Sequence, residues 1–222
     1  MPRSARGLVN GMVYHVLNRG NEQQQLFYDA NDYTFFKELL YRAKARFGLF
    51  IYAYSIMPNH FHLAIKSGQA DGISRAMQWI MTRHVLYHQK VYNTCGHIWQ
   101  GRFKSFAVST DSYLINLLRY IEANPVRAGL VKCCSEWRWS SYGERKRDKA
   151  GLIDYIIDLP EPWMEFVNQP LDNECLTKLR ISVKRQTPYG NENWVEKTLG
   201  LESTIRPVGR PNNKKGTVPF FV

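Results

Sequence analysis

A chain of 222 residues with 44% hydrophobic and 22% charged residues has the make-up of an ordinary globular protein, long enough for one sizeable domain with an appendage or for two small ones. No apolar run approaches the roughly 18 residues of a transmembrane helix, and the basic N-terminus MPRSARGLVNG lacks the apolar stretch of a secretory signal. Thirty Lys and Arg against nineteen Asp and Glu, a net charge of +11, favour a polyanionic partner, nucleic acid ahead of an anionic membrane surface.

The segment GMVYHVLNRG alternates Met12, Tyr14 and Val16 with Val13, His15 and Leu17, the period of a strand, and Gly20 marks the turn after it. A helix follows, capped by Asp29 or Asn31, with Tyr33, Phe36, Leu39, Leu40 and Ala43 at helical spacing up to Gly48. LFIYAYSIM and HFHLAIKS are β-rich runs joined by Pro58-Asn59, as in a hairpin. Asp71-Gly72 opens a second helix carrying Ile73, Met77, Ile80, Met81, His84 and His88. GHIWQGRFKSFAVS reads as a strand with a glycine interruption. Thr110 or Asp111 caps a third helix, DSYLINLLRYIEA, which Asn124-Pro125 ends.

The order β-α-β-β-α-β followed by a helix predicts an α+β, ferredoxin-like (split βαβ) fold: a four-stranded antiparallel sheet with helices on one face. The character of the chain changes after about Lys149, which places a domain boundary near the charged run ERKRDK, residues 144–149. The expected division is a catalytic or binding domain over 1–148 and a C-terminal extension with a basic tail over 149–222. The cysteines Cys95, Cys133, Cys134 and Cys175 contain no CxxC pair, the pattern of a reduced, cytoplasmic protein.

Two features carry chemistry. In MPNHFHLAI, His60 and His62 are two apart, so on a strand they share a face, about 6.6 Å apart from the ~3.3 Å rise per residue. Two imidazoles so placed can converge on one metal ion, although histidines on a strand face are as often packed or solvated. In RYIEANPVRAGLV, Tyr120 and Asn124 are four apart and share a helical face. Tyrosine is also a common core residue and Asn before Pro a common helix stop, so this pair alone decides nothing.

Taken together, a ferredoxin-like sheet with His-hydrophobic-His and a helix bearing Tyr resembles the HUH endonucleases. The closest likeness is to the single-tyrosine transposases of insertion sequences, and within them to those associated with repetitive extragenic palindromes. The matching segments are YHVLNRGN, MPNHFHL, HIWQGRFKSF, YIEANPVRAGLV, WRWSSYG, LPEPWMEFVNQPL, PYGNENWVEKT and LESTIRPVGRP, nearly the length of the chain. The resemblance implies Tyr120 as nucleophile, and His60, His62 and Asn124 as ligands of Mg²⁺ or Mn²⁺. It implies cleavage and rejoining of single-stranded or hairpin DNA through a 5′-phosphotyrosine, without a nucleotide cofactor or a membrane. A bacterial, nucleoid-associated protein acting as a monomer is expected, with a dimer as the alternative. A divalent ion suits this chemistry because a phenol is mostly protonated at neutral pH and the phosphodiester repels attack.

Lesser candidates surround these four residues. Arg102, Lys104, Arg119 and Arg127 are expected phosphate binders, weighed against a solvated basic face. Trp99, Phe103, Trp137 and Trp139 can stack on bases, but as aromatics are expected in the core. His84 and His88 lack a third ligand and read as structural. Gly209-Arg210-Pro211 resembles a minor-groove hook around Arg210, although Asn212 and Asn213 stand where basic residues are usual. The rival readings are a replication initiator or relaxase of the same chemistry, and a non-catalytic nucleic-acid binder using the sheet face.

Overall fold

Four strands, β1 (Val13–Arg19), β2 (Leu49–Met57), β3 (His60–Ser67) and β4 (Lys104–Val108), pair antiparallel throughout in the order β2-β3-β1-β4. The helices α1 (Ala30–Phe47) and α2 (Gly72–Tyr92) complete the β-α-β-β-α-β order, and α3 (Ser112–Glu122) follows it. This computed structural model describes residues 8, 11–69, 71–110, 112–145, 151–154, 158–191 and 193–194. The expected α+β, split βαβ sheet is the observed one.

Local chemistry sets the helix ends. Asp29 caps α1 by accepting from the backbone N–H groups of Asn31 and Asp32, and Asp32 returns the bond in a capping box. Gly48 ends α1 in the left-handed region at φ 57°. Asp111, a candidate cap for α3, lies outside the described residues. α3 ends just before Asn124-Pro125, as expected, but a new helical turn begins at once. Ala123, at φ −84° and ψ 0°, breaks α3, and Pro125 sits in the first turn of the short helix α4 (Asn124–Arg127), where a missing N–H costs nothing. The fourth strand is also shorter than the sequence suggests. Trp99 still bridges Gly20, but Gly101 at φ 134° takes the chain off the ladder before Lys104.

Alternation in β1 and β3 sends side chains to two different cores. Tyr14, Val16, Phe61, Leu63 and Ile65 pack under α1 and α2, together with Trp99 and Phe103, which are core residues as expected. Val13, Leu17, Ala64 and Phe106 face the other way, onto Leu114, Leu117, Leu118 and Ile121 of α3. The first two helices therefore lie on one face, and the second face is apolar enough to need its own cover. After the single-turn α5 (Tyr142–Arg145), the C-terminal extension completes that cover: α6 (Trp163–Asn168) and α7 (Asn173–Arg185) add Trp163, Val167 and Leu179, and Tyr189 follows them.

Both sheet edges are closed by later parts of the chain. Along β2, Ile56 N–H donates to Trp139 O at 2.9 Å, Ser141 N–H to Tyr54 O at 2.9 Å, and Ile51 N–H to Asp154 Oδ2 at 2.8 Å. Along β4, Tyr189 N–H donates to Ala107 O at 2.8 Å and Ser109 N–H to Tyr189 O at 3.0 Å. Covered edges remove the open backbone groups through which strands pair with other chains. Among the described residues no helix is long and apolar enough to cross a membrane.

His84 is fully buried among Phe27, Phe36 and Trp99, with ring centroids 5.1, 5.2 and 5.3 Å away. Neither ring nitrogen has a partner among the described residues. Burial, with the nearby His88 adding to it, pushes its imidazole down to about 3. Between that value and the ~6.5 of an unfolded histidine, the unfolded chain binds a proton that the folded chain refuses. Stability is therefore whole above about pH 6.5 and is lost as pH falls. His84→Phe removes this term, so its gain at pH 5 should exceed its gain at pH 7 by about 2 kcal/mol, from ~1.4 kcal/mol per pH unit. Urea unfolding at both pH values measures it; equal changes at the two would rule it out.

Candidate active site

The α3 face of the sheet carries a row of polar groups at one end of β1 and β3. Register sets Arg19 opposite His60, and Leu17 between His62 on β3 and Lys104 on β4. Directly opposed residues share a face, so Arg19, His60, His62 and Lys104 all stand on the side covered by α3. The His60 and His62 rings are 5.0 Å apart between centroids and nearly perpendicular, as their two-residue spacing predicts.

Each histidine has a partner on Nδ1. His60 Nδ1 lies 2.7 Å from Asn59 Oδ1. The Asn59 amide cannot be reversed without loss, because its Nδ2 donates to Gln23 O at 3.0 Å. Asn59 Oδ1 must therefore accept, His60 carries its proton on Nδ1, and the Nε2 lone pair is free. The turn after β1 makes this possible. Gly20 N–H donates to Asn59 O at 2.8 Å, and a Cβ on Gly20 would stand 2.3 Å from Gln24 O. His62 Nδ1 lies 2.8 Å from His15 Nε2 across the strands, with both rings buried.

Burial also keeps the pair neutral. It lowers His60 to about 4, helped by the cation of Arg19, and it holds His62 well below its usual value, helped by His15, His60, Arg127 and Arg19. Two unprotonated imidazoles at neutral pH are what a metal ion requires.

Tyr120 comes to the histidines from α3. Its ring centroid is 5.9 Å from that of His62 and 6.2 Å from that of His15, edge-on in both cases. Leu114, Leu117, Leu118 and Ile121 bury the adjoining stripe of α3 against the same sheet face and fix its rotation. Arg127 lies over the Tyr120 ring, 4.0 Å from guanidinium carbon to centroid, and its Nη2 donates to Asn124 Oδ1 at 3.2 Å and to Tyr120 O. Tyr120, Asn124 and Arg127 thus form one cluster, as the four-residue spacing of the first two anticipates. Arg127 Nη1 and Asn124 Nδ2 are buried with no partner among the described residues.

The residues present fit a divalent cation. Among the described residues no three His, Cys, Asp or Glu side chains gather as a metal site, so a cation held here would draw on the two imidazoles with a neutral ligand such as the Asn124 carboxamide. Asn124 Oδ1 has two lone pairs and gives one to Arg127, leaving the other available.

The expected basic residues divide. Lys104 shares the histidine face. Arg102 is exposed on the wall of a groove of about 780 Å³ between α2 and residues 96–103, lined by Met81, Val85 and Trp99. Arg119 departs from expectation. It is buried, donates from Nη2 to Gln169 O at 2.9 Å and Pro170 O at 3.0 Å, and lies over the Phe166 ring, so its cation anchors the extension. Arg210 falls outside the described residues. Trp139 stacks on Tyr33 and Trp137 donates to Ile56 O, both structural, as are the buried His84 and His88. Sequence reading missed Arg19, His15 and Asn59. For His15 the signal was present, since it alternates onto the same face as Leu17.

A family model described as "Transposase IS200 like" matches residues 8–124. The chain is 28% identical over 158 residues to a REP-associated tyrosine transposase of Escherichia coli K12, covering 68% of this chain and 88% of the relative. It is 30% identical over 122 residues to a putative REP-associated tyrosine transposase of Haemophilus influenzae, covering 50% of this chain and 64% of that one. A solved structure of a REP-associated tyrosine transposase bound to a REP hairpin aligns over 78% of this chain and 100% of its own length, with a TM-score of 0.53 and 20% identity. That last likeness is one of fold.

Proposed function

This chain belongs to the IS200-like transposase family, and on that footing we propose that it cuts and rejoins single-stranded DNA at hairpin-forming repeats, with Tyr120 as nucleophile and with His60, His62 and Asn124 holding a divalent cation. The observation that carries this reading is the meeting of Tyr120 with His62, ring to ring at 5.9 Å, within a single chain. A site complete in one chain supports a monomer as the active form. Similarity to REP-associated relatives, one of them solved with a REP hairpin, supports a repeat hairpin as the substrate.

In this reading Tyr120 Oη attacks the phosphorus of the scissile phosphodiester. A P–Oη bond forms, the P–O3′ bond breaks, the phenol proton passes to solvent, and the departing oxygen is protonated to a free 3′-hydroxyl. The DNA 5′-phosphate is then esterified to Tyr120, and attack by another 3′-hydroxyl reverses the step and joins strands without an external energy source. Tyr120 is only 8% exposed, so in this scheme the phosphate reaches its Oη at the end of the sheet that carries His60 and His62. Arg127 Nη1, buried and unpartnered there, and Arg19 beside His60 are placed to bind its non-bridging oxygens. When bound, Mg²⁺ or Mn²⁺ supplies positive charge that polarises and orients the phosphate. Cellular supply favours these two ions, although imidazole by itself prefers softer metals.

Residues 1–148 form the catalytic unit in this scheme and 149–222 an extension that braces α3. The basic tail around Arg210 adds contacts to the hairpin, where phosphate neutralisation supplies affinity. A covalent-adduct assay with a hairpin-flanked single-stranded oligonucleotide tests the whole scheme. A protein–DNA band should form with Mg²⁺ or Mn²⁺ and vanish in excess EDTA, while binding in a gel shift persists. Adduct formed undiminished under chelation removes the metal, and binding without any adduct leaves a non-catalytic hairpin binder.

A further inference from the structure

The two histidines proposed to hold the cation are steadied by different means. For His60 the arrangement is forced: Asn59 Oδ1, pinned through its own amide to Gln23 O, is an acceptor and nothing else. For His62 the neighbour is another imidazole, which can donate or accept. Which of the two rings donates decides whether His62 presents a lone pair or an N–H to the site.

We propose that His15 is a positioning residue: its Nε2 accepts the Nδ1 proton of His62, which turns the His62 Nε2 lone pair toward the site and gives both ligands the same tautomer. The inference rests on the reading of His60 and His62 as metal ligands. Register supports it, because His15 pairs with Ala64 and Leu17 with His62, so His15 and His62 are diagonal neighbours on one face, within reach of each other. The His15 ring has little freedom, held edge-on by Phe106 at 4.8 Å and Tyr120 at 6.2 Å. The opposite arrangement would protonate His62 Nε2, the only ring nitrogen left for a cation, and so close the residue to one. His15 Nδ1 then carries the remaining proton, buried and without a partner among the described residues. That unpaired donor is the cost of using an imidazole here. A carboxylate would accept the same bond more strongly, as it often does behind metal-bound histidines, but would add a buried negative charge beneath an incoming phosphate. A neutral acceptor orients the ligand without repelling the DNA.

The test reads proton positions directly. In the full-length, metal-free, ¹⁵N-labelled protein, long-range ¹H–¹⁵N NMR should show His60, His62 and His15 all protonated on Nδ1. Mn²⁺ binding followed by EPR should weaken about 10- to 100-fold in His15→Phe, which keeps a ring of similar size but cannot accept. His15→Gln, whose side-chain oxygen reaches the place of Nε2, should recover most of that affinity. A wild-type His62 protonated on Nε2 overturns the proposal even if His15→Phe fails to fold, and so does wild-type Mn²⁺ affinity in a folded His15→Phe. Controls separate the two layers: unchanged Mn²⁺ affinity in His60→Ala and His62→Ala would remove the metal site itself. Loss in those two alone would remove only the role of His15.

Discussion

Tyr120→Phe should bind hairpin DNA within about twofold of the wild type and form no covalent adduct, a loss of roughly 10⁴-fold or more in cleavage. The substitution deletes one oxygen and keeps the ring. The ring is what the structure uses for packing, since it meets His62 and His15 edge-on and carries the Arg127 guanidinium on its face. Phenylalanine retains a cation–π contact of about the same strength, so stability should change by less than about 1 kcal/mol. DNA affinity in such proteins comes largely from Lys and Arg on phosphates, and none of these is touched. The reacting oxygen, by contrast, has no substitute. Adduct of wild-type intensity on a denaturing gel would move the nucleophile to another of the thirteen tyrosines.

The parts of this molecule that could be read from sequence are those encoded by short periods. Alternation in GMVYHVLNRG and HFHLAIKS gave both the strands and the faces of His60 and His62. The helical spacing of Leu114, Leu117, Leu118 and Ile121 gave α3, and the four-residue interval placed Tyr120 beside Asn124. What escaped depends on residues far apart in the chain. Setting His15 diagonally beside His62 requires the register of β1 on β3, which no local pattern states. Arg119 looks like a free cation on a basic helix until the backbone of Gln169 and Pro170 returns to take its hydrogen bonds. The same long-range return hides the role of residues 151–191. Their apolar positions are too sparse to announce a core, yet Leu152 and Ile153 join the α1–α2 side while Trp163, Val167, Leu179 and Tyr189 join the α3 side. Tyr189, well inside the extension, closes the β4 edge.

That return is concentrated on one side chain, and removing it should produce the largest loss of stability outside the apolar core. Glu122 is fully buried, two residues from Tyr120. Its Oε1 accepts from Ser141 Oγ at 2.5 Å and from Arg145 Nε at 2.7 Å, and its Oε2 from Trp163 Nε1 at 2.9 Å. Arg145 in turn donates to Tyr52 O on β2. One carboxylate thereby ties α3 to the sheet, to α5 (Tyr142–Arg145) and to α6. Truncation as Glu122→Ala leaves the Arg145 cation buried without its counter-charge and the Trp163 N–H without an acceptor, which should cost about 3–5 kcal/mol. Removing both charges together, as Glu122→Ala with Arg145→Met, leaves no buried ion and should cost less than Glu122→Ala alone, since much of the single-variant penalty is the stranded cation. Urea unfolding of the two single variants and the double variant measures the coupling. A Glu122→Ala loss below about 1 kcal/mol, or strictly additive costs, would mean the cluster does not act as a unit. Cleavage by Glu122→Ala, assayed well below its melting temperature where the chain stays folded, should fall as well, because the helix that aims Tyr120 at His62 has then lost its only ion pair among the described residues. Unimpaired cleavage by the folded variant would show that apolar packing by itself holds the nucleophile in place.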